Sequence, residues 1–285
     1  MGGQRVRRPA LAALALCLAA AILSACGGGE DDDSTGHGPV DRDLVWSDDF
    51  DGANGALPDA TKWAIEQYAD ATDTEKQCYT NSTDNLHTDG QGYLVVSALE
   101  VAGNCADGWY RFVTSGRITT AGLESWKYGR FEVRAKMPSG VGTWPAFWAI
   151  GEDPDPDVVW PELGEIDAME YVGRDPEHLI GTIHGPDSEG DRWFLQSETD
   201  SDTPLYEDMH TYAVDWNADR VVWYLDDVEY GRITRAEAEE RGTWVFDRPF
   251  HLILNLAIGG VLGGDVPDDL AYPQEMVVDY VRVYQ

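Results

Sequence analysis

The sequence predicts an all-β domain, built as a sandwich of two antiparallel sheets or as a closed barrel. Short runs of alternating apolar and polar residues, separated by Gly, Pro, Asp and Asn, recur along the chain. Only Thr234–Gly242 has a helical pattern, and it is short. No second linker and no internal repeat follow Leu44, so we expect residues 44–285 to form one domain.

The first 25 residues have the pattern of a secretory signal peptide. Three arginines precede an apolar run, residues 10–23, that is short for a membrane span. The run ends in Leu-Ser-Ala-Cys, which resembles a bacterial lipobox and predicts cleavage before Cys26 and a lipid on its sulfur. The alternative is ordinary signal cleavage beside an unremarkable cysteine.

Residues 26–43 are rich in glycine and acidic residues and have almost no apolar side chain, which predicts a flexible tether. We therefore expect an exported chain that is held at the bacterial cell surface by a lipid on Cys26 or is secreted. The lipid would be its only contact with a membrane.

The chain without residues 1–25 is strongly acidic, with 17 Lys and Arg against 52 Asp and Glu, a net charge of −35. Such a surface repels nucleic acid and other anionic polymers at low salt. The charge favours a neutral substrate, although solubility of a secreted protein would explain it equally well.

Cys78 and Cys105 remain once the signal peptide and the lipobox are set aside. An even pair in an oxidising compartment favours a disulfide, which would contribute on the order of 3 kcal/mol to stability. Two buried free thiols are the alternative.

Six runs alternate as strands do, and in Tyr128–Met137 the residues Phe131, Val133 and Ala135 share one face. The other five are Tyr93–Val101, Thr211–Trp216, Arg220–Tyr230, Phe250–Gly260 and Met276–Gln285.

The 11 tryptophans include Trp144, Trp148 and Trp160, close to glycine or proline. Exposed indole faces stack on the apolar faces of sugars, but tryptophan side chains also pack in the cores of β-sandwiches.

Residues 161–173, PELGEIDAMEYVG, place three carboxylates among strand-forming residues. Alternation puts Glu165 and Asp167 on one face of the strand and Glu170 on the other. A β-bulge at Ala168-Met169 would add one step and return Glu170 to the face of the other two acids. The alternative is a solvated strand in an acidic protein.

The bulged strand would have the chemistry of a glycosidase. Its two glutamates would lie about 13 Å apart at Cα, and long side chains leaning inward could reach one glycosidic bond. A retaining glycosidase needs roughly 5–5.5 Å between its two carboxyl groups. Three close like charges cannot all ionise, so the cluster holds at least one proton at neutral pH.

The next strand, Leu179–Pro186, follows a turn. A hairpin centred near Asp175 places His184 across from Asp167, within one residue. An imidazole there would hydrogen-bond the carboxylates and decide which of them carries the proton. A structural histidine is the alternative.

The run GEIDAMEYVG closely resembles the active-site signature of glycoside hydrolase family 16, in the bulged E-x-D-x-x-E form of its laminarinase-like branch. The resemblance covers nearly all of residues 44–285, through LVWSDDFDG, GTWPAFWAIG, GTIHGP and VVDYVRVYQ in family order. It implies a concanavalin A-like β-jelly-roll sandwich with a concave substrate cleft, which hydrolyses internal β-1,3-glucosidic bonds with retention.

The resemblance also implies residue roles. Glu165 is implied as the nucleophile, Glu170 as the general acid/base and Asp167 as the assistant of the nucleophile. The implied substrate contacts are Trp144, Trp148, His184 (beside the acid/base), Arg130 and Asn255. No cofactor is expected for catalysis, but many members bind a structural calcium, for which Asp49 and Asp279 are candidate ligands.

Two stretches depart from the family pattern. Glu75–Thr80 read EKQCYT where laminarinase-like members often read ELQYYT, which changes a donor-side contact. Residues 261–269 lack a tryptophan often found there, which leaves the acceptor side open. Both departures concern substrate choice more than chemistry.

The sequence thus predicts a monomeric endo-β-1,3-glucanase that acts on a β-glucan. A mixed-linkage β-1,3-1,4-glucanase, another β-glycan hydrolase or a transglycosylase of the same family remains open. A non-catalytic β-glucan-binding jelly roll is the rival from another class. The intact acid triad argues against it, because binding alone does not need two glutamates across one bond.

Overall fold

A computed structural model describes residues 42–69 and 74–285. The predicted signal peptide, the predicted lipidation site Cys26 and nearly all of the predicted tether lie outside the described residues. In the described ranges, no helix is long and apolar enough to cross a membrane.

The described chain forms nineteen strands and two short helices. The strands are β1 Leu44–Asp48, β2 Ala64–Ile65, β3 Gln77–Tyr79, β4 Leu86–Thr88, β5 Leu94–Ala98, β6 Gly103–Asn104, β7 Tyr110–Arg111, β8 Val113–Ser115, β9 Arg117–Thr119, β10 Gly129–Lys136, β11 Thr143–Gly151, β12 Glu165–Tyr171, β13 His178–Pro186, β14 Arg192–Asp200, β15 His210–Trp216, β16 Arg220–Leu225, β17 Val228–Thr234, β18 Phe250–Ile258 and β19 Gln274–Tyr284. The helices are α1 Arg235–Glu239 and α2 Gly260–Gly263.

Two large antiparallel sheets confirm the predicted sandwich. One has seven strands in the order β14-β13-β12-β11-β18-β9-β2. The other has eight, in the order β17-β16-β15-β10-β19-β5-β4 with β1 beside β19. Two small pairs, β3 with β8 and β6 with β7, lie outside these sheets.

The core is formed by the residues on one face of each sheet, as alternation predicts. Phe131, Val133 and Ala135 of β10 are fully buried, as are Phe147 of β11 and Leu254 of β18. Six of the eleven tryptophans belong to this core, including Trp63, Trp216 and Trp223. The core alternative is therefore correct for most tryptophans.

The sequence analysis predicted one strand where the structure has two, and it missed a short helix. Arg220–Tyr230, predicted as one strand, is a hairpin, because Asp226 and Asp227 take left-handed backbone angles that aspartate tolerates and that tight hairpins require. The helical prediction holds for α1, whose N-cap Thr234 and Glu237 form a capping box. Helix α2 was missed, since its four residues are too few to show a periodic pattern.

Candidate active site

A β-bulge interrupts strand β12 at the predicted place. On one side, Phe147 pairs with Met169 and the adjacent Trp148 pairs with Asp167, so Ala168 is skipped. On the other side, the pairing of β12 with β13 also shifts between Asp167 and Glu170. The extra residue explains how this strand departs from strict alternation.

The bulge brings the three acids to one side of the sheet. Glu165, Asp167 and Glu170 all line one cleft on the seven-stranded sheet. The intervening Ile166 and the bulged Ala168-Met169 belong to the hydrophobic core and are at most 2% exposed. The predicted sharing of a face is thus confirmed.

Trp223 of the opposite sheet supports the bulge from below. Its indole Nε1 donates a hydrogen bond of 2.8 Å to the backbone carbonyl of Asp167, next to the skipped residue. Gly181 of β13 leaves room for this indole, because a Cβ there would lie 2.3 Å from Trp223 Cδ1. The site therefore depends on a tryptophan whose side chain does not enter the cleft.

We expect Trp223→Phe to weaken both stability and activity. Phenylalanine fills much of the volume but leaves the buried Asp167 carbonyl without its donor, at a cost of about 1–3 kcal/mol. The bulge should then be less well fixed, and kcat should fall more than KM rises. Urea unfolding and steady-state kinetics check this, and a variant with unchanged stability and kcat would contradict it.

Indole and hydroxyl donors hold the two glutamates. Trp160 Nε1 donates to Glu165 Oε2 at 2.8 Å. Trp144 Nε1 donates to Glu170 Oε1 at 3.2 Å, and Thr182 Oγ1 donates to Glu170 Oε2 at 3.1 Å. Two tryptophans near the acid motif therefore contact the carboxylates themselves.

His184 lies against two of the acids. Its Nε2 is 3.2 Å from Asp167 Oδ2 and 3.6 Å from Glu165 Oε1. The register prediction was wrong by two residues: His184 pairs with Glu165, and Thr182 pairs with Asp167. The hairpin is centred at residue 175 as predicted, but the bulge takes up one further residue of β12.

Burial and mutual repulsion raise the pKa of every acid in the cluster. Burial first, and the Asp167 charge second, raise the pKa of Glu165 to about 8. Burial and the Glu165 charge raise the pKa of Glu170 to about 7, and burial raises that of Asp167 well above its usual range. Burial lowers the pKa of His184, so its imidazole is neutral at neutral pH. The cluster therefore holds protons near pH 7.

The cleft has a volume of about 260 Å³ and combines apolar faces with polar groups. Its remaining lining residues are Tyr68, Glu75, Tyr79, Arg117, Trp144, Ala146, Trp148, Asn255 and Ala257. Trp148 donates to Asn255 Oδ1 at 2.8 Å, and Asn255 donates to the Tyr79 hydroxyl at 3.1 Å. The predicted contacts Trp144, Trp148 and Asn255 thus lie in the cleft.

The sequence analysis missed Tyr68, Tyr79 and Arg117. The guanidinium of Arg117 stacks 4.8 Å from the Trp148 ring and pairs with Glu66. Tyr79 lies on the three-residue strand β3, outside the large sheets, where no periodicity assigns it a face. Two signals were available: Tyr79 follows Cys78, and it belongs to the stretch Glu75–Thr80 that the family resemblance assigns to the donor side.

Arg130 was predicted wrongly as a substrate contact. It lies on β10 of the eight-stranded sheet, where Nε donates to Glu132 at 2.8 Å and Nη2 to Asp227 at 2.6 Å. Its guanidinium stacks on Tyr224. Alternation predicts which residues of a strand share a face, but not which sheet the strand joins.

The candidate calcium ligands each contact an arginine. Asp49 accepts a hydrogen bond of 2.9 Å from Arg282, and Asp279 accepts one from Arg134. Each carboxylate charge is therefore already compensated, which does not favour a calcium ion between them. In the described residues, the one group of three metal-ligating side chains is Glu165, Asp167 and His184, within the acid cluster itself.

The disulfide and the two departing stretches lie beside the cleft. Cys78 and Cys105 are bonded to each other, as the sequence favours. Glu75 and Val266 border the same cavity next to the cleft. Both departing stretches therefore contribute to one cavity beside the cleft.

Comparison with known proteins gives consistent matches over most of the chain. The family Glycosyl hydrolases family 16 matches residues 66–282. The β-glucanase of Rhodothermus marinus is 39% identical over 257 residues, 85% of each chain. The glucan endo-1,3-β-glucosidase of Cryptopygus antarcticus is 36% identical over 240 residues, 79% of this chain and 84% of that protein. The laminarinase catalytic domain of Thermotoga maritima superposes with a TM-score of 0.75 at 35% identity, covering 86% of this chain and 99% of that one.

Proposed function

The chain belongs to glycosyl hydrolase family 16, and from that premise we propose that it hydrolyses internal β-1,3-glucosidic bonds of laminarin-type β-glucans with retention of configuration. One observation carries the proposal: the bulge at Ala168 turns Glu165 and Glu170 into the same cleft. Its relatives include a β-glucanase and a glucan endo-1,3-β-glucosidase.

In the first step, a carboxylate oxygen of Glu165 attacks the anomeric carbon. The bond from that carbon to the leaving sugar oxygen breaks, and the proton of Glu170 passes to this oxygen. A covalent glycosyl ester on Glu165 results. Trp160, which donates to Glu165, holds the attacking carboxylate in one orientation.

In the second step, Glu170 acts as the base. It takes a proton from water, whose oxygen bonds to the anomeric carbon and releases Glu165 as a carboxylate. Two inversions give net retention. Trp144 and Thr182 hydrogen-bond both oxygens of Glu170 and keep it aimed at the leaving-group side through both steps.

Asp167 and His184 set the proton balance between the two glutamates. The Asp167 charge is one cause of the raised pKa of Glu165, and neutral His184 is in contact with both groups. We assign them as positioning residues. In the free site the pKa of Glu165, about 8, exceeds that of Glu170, about 7, so the catalytic form, with its proton on Glu170, is the minor one of the two singly protonated forms.

The two glutamates predict a bell-shaped pH profile of kcat/KM with limbs near pH 7 and pH 8. The pKa of Glu165 is about 8 and that of Glu170 is about 7, so the active form, with ionised Glu165 and protonated Glu170, is most populated between these values, and the rate falls about tenfold per pH unit on either side. Asp167→Asn removes a negative charge beside Glu165 and lowers the pKa of Glu165, so the alkaline limb should move to lower pH. An alkaline limb that stays or moves upward in the variant would contradict this balance.

A reducing-sugar assay on laminarin, with sizing of the products, tests the proposed activity. Oligosaccharides of several lengths are expected early in the reaction, because an open cleft cleaves internal bonds. Binding without release of reducing ends would instead support the glucan-binding rival. Faster release from mixed-linkage glucan than from laminarin would change the assigned linkage.

We also propose that the chain is exported and lipid-anchored through Cys26. The lipobox-like sequence supports this, and so does the Cys78–Cys105 disulfide, since such bonds persist in oxidising compartments. Mass spectrometry of the N-terminal peptide from native membranes should find lipid on Cys26. A mature chain that begins elsewhere and stays in the soluble fraction would reject the anchor.

A further inference from the structure

A second cavity adjoins the active-site cleft. It has a volume of about 440 Å³ and shares Glu75 with the cleft as a lining residue. Lys76, Phe112 and Val266 line its other parts. A chain that leaves the cleft past Glu75 would therefore lie next to this cavity.

Two exposed aromatic rings border the second cavity. Tyr110 is 53% exposed and Phe112 is 68% exposed, and their ring centroids lie 5.3 Å apart in an edge-to-face arrangement. Leaving two large rings in water beside a cavity costs free energy that burial by a ligand would recover. This pair is thus a candidate binding surface.

Strand pairing and a disulfide connect the aromatic pair to the segment that carries the cleft residue Tyr79. Tyr110 lies on β7, and Phe112 directly follows this strand; the adjoining strand β8 pairs with β3, which carries Tyr79 of the cleft. The disulfide joins Cys78 of β3 covalently to Cys105, which lies in the turn between β6 and β7. A platform held in this way keeps its place relative to the catalytic acids, so little ordering cost opposes binding.

The chemistry of the cavity fits a neutral polyhydroxylated chain. The rings offer apolar faces for the C–H faces of sugars, and the carboxylates of Glu75, Glu100 and Asp268 offer acceptors for hydroxyl groups. A chain carrying 52 acidic residues would repel an anionic polymer here. Continuity with the cleft further selects the substrate itself as the occupant.

We propose that the cavity bordered by Tyr110 and Phe112 is a distal subsite, which binds the portion of the same β-glucan chain that extends beyond the cleft past Glu75. The inference rests on the proposed function. According to this inference, Tyr110 and Phe112, at the end of the β6–β7 hairpin, make the enzyme prefer long glucans over short ones.

The test compares a long and a short substrate in one double variant, Tyr110→Ala with Phe112→Ala. The measured quantity is the ratio of kcat/KM for laminarin to kcat/KM for laminaritriose, whose three sugars we expect to occupy the cleft alone. We expect this ratio to fall by about tenfold, through the KM for laminarin, because the double variant loses both stacking contacts with the part of the glucan beyond the cleft. Val228→Ala, at a residue that is also 68% exposed but lies on β17 of the other sheet, is the matched control and should keep the wild-type ratio.

The outcomes separate this subsite from the proposed activity. A wild-type chain that releases no sugar from either substrate rejects the proposed function. An active wild type whose ratio is unchanged in the double variant rejects only the distal subsite. Phe112→Tyr, which retains a ring, should keep most of the ratio; a loss as large as that of Phe112→Ala would contradict stacking.

Light scattering tests a different occupant of the rings. If the wild type is a dimer and the double variant is a monomer, a second copy of the chain covers the rings, and the proposal is overturned.

Discussion

Glu165→Gln is expected to abolish hydrolysis of laminarin, with kcat lowered by at least about four orders of magnitude, as loss of a nucleophile does in other enzymes with covalent intermediates. Glutamine keeps the size of the side chain and can still accept the hydrogen bond from Trp160. What it loses is the carboxylate that forms the glycosyl ester. Steady-state rates on laminarin measure the effect.

The matched control is Glu162→Gln, three residues earlier and exposed. It removes the same charge outside the cleft and should keep the wild-type rate. A Glu165→Gln variant that retains even a tenth of the wild-type kcat would rule out Glu165 as the nucleophile.

The same variant should be more stable than the wild type at alkaline pH. The pKa of Glu165 is raised in the folded state from its ordinary 4.5 to about 8, so between these pH values the folded chain holds a proton that the unfolded chain has released. The free energy of unfolding of the wild type therefore falls as pH rises through this window. Glutamine does not titrate, so the advantage of the variant should grow from pH 5 to pH 8 in denaturant unfolding. An equal pH dependence in both proteins would indicate that the carboxyl group is not perturbed.

Glu170→Gln is expected to lower kcat on laminarin by about two to four orders of magnitude, the usual contribution of general acid catalysis. The loss should depend on the leaving group. A 2,4-dinitrophenyl β-glycoside of a laminari-oligosaccharide has a leaving group that needs no proton, so its first step should remain close to the wild-type rate. A burst of dinitrophenolate followed by slow turnover measures this directly.

Azide provides a second test of Glu170. The anion attacks the glycosyl ester without a base, so it should restore turnover of the activated substrate in Glu170→Gln and leave Glu165→Gln inactive. Glu177→Gln, an exposed glutamate in the turn after β12, serves as the control and should respond as the wild type does. Equal losses on activated and natural substrates, with no azide effect, would reject Glu170 as the acid/base.

The sequence could predict the acid cluster because its evidence is local. Glu165, Asp167 and Glu170 lie within six residues, and their break in alternation has one simple remedy, a single bulged residue. The sandwich was predictable for a similar reason, since runs of strand-forming residues separated by turn residues recur along the chain. Neither inference depends on which residues, distant in the sequence, are in contact in the fold.

The errors at the site involve contacts between residues that are distant in the sequence. Arg130 shows the alternation of a strand, yet the strand belongs to the sheet without the cleft. His184 was misplaced because the bulge that collects the acids also shifts the register of their neighbour β13. Trp223 holds the bulge from the other sheet, 56 residues away along the chain. No local pattern of spacing contains that contact.

The configuration of the first product tests the central account most directly. Proton NMR of laminarin digestion by the wild-type chain, recorded before mutarotation, follows the anomeric signals of the new reducing ends. Attack by Glu165 and release by water activated at Glu170 predict that the β-anomer appears first and the α-anomer only later, by mutarotation. New ends that appear first as the α-anomer would show a single displacement by water, and would contradict a covalent intermediate on Glu165.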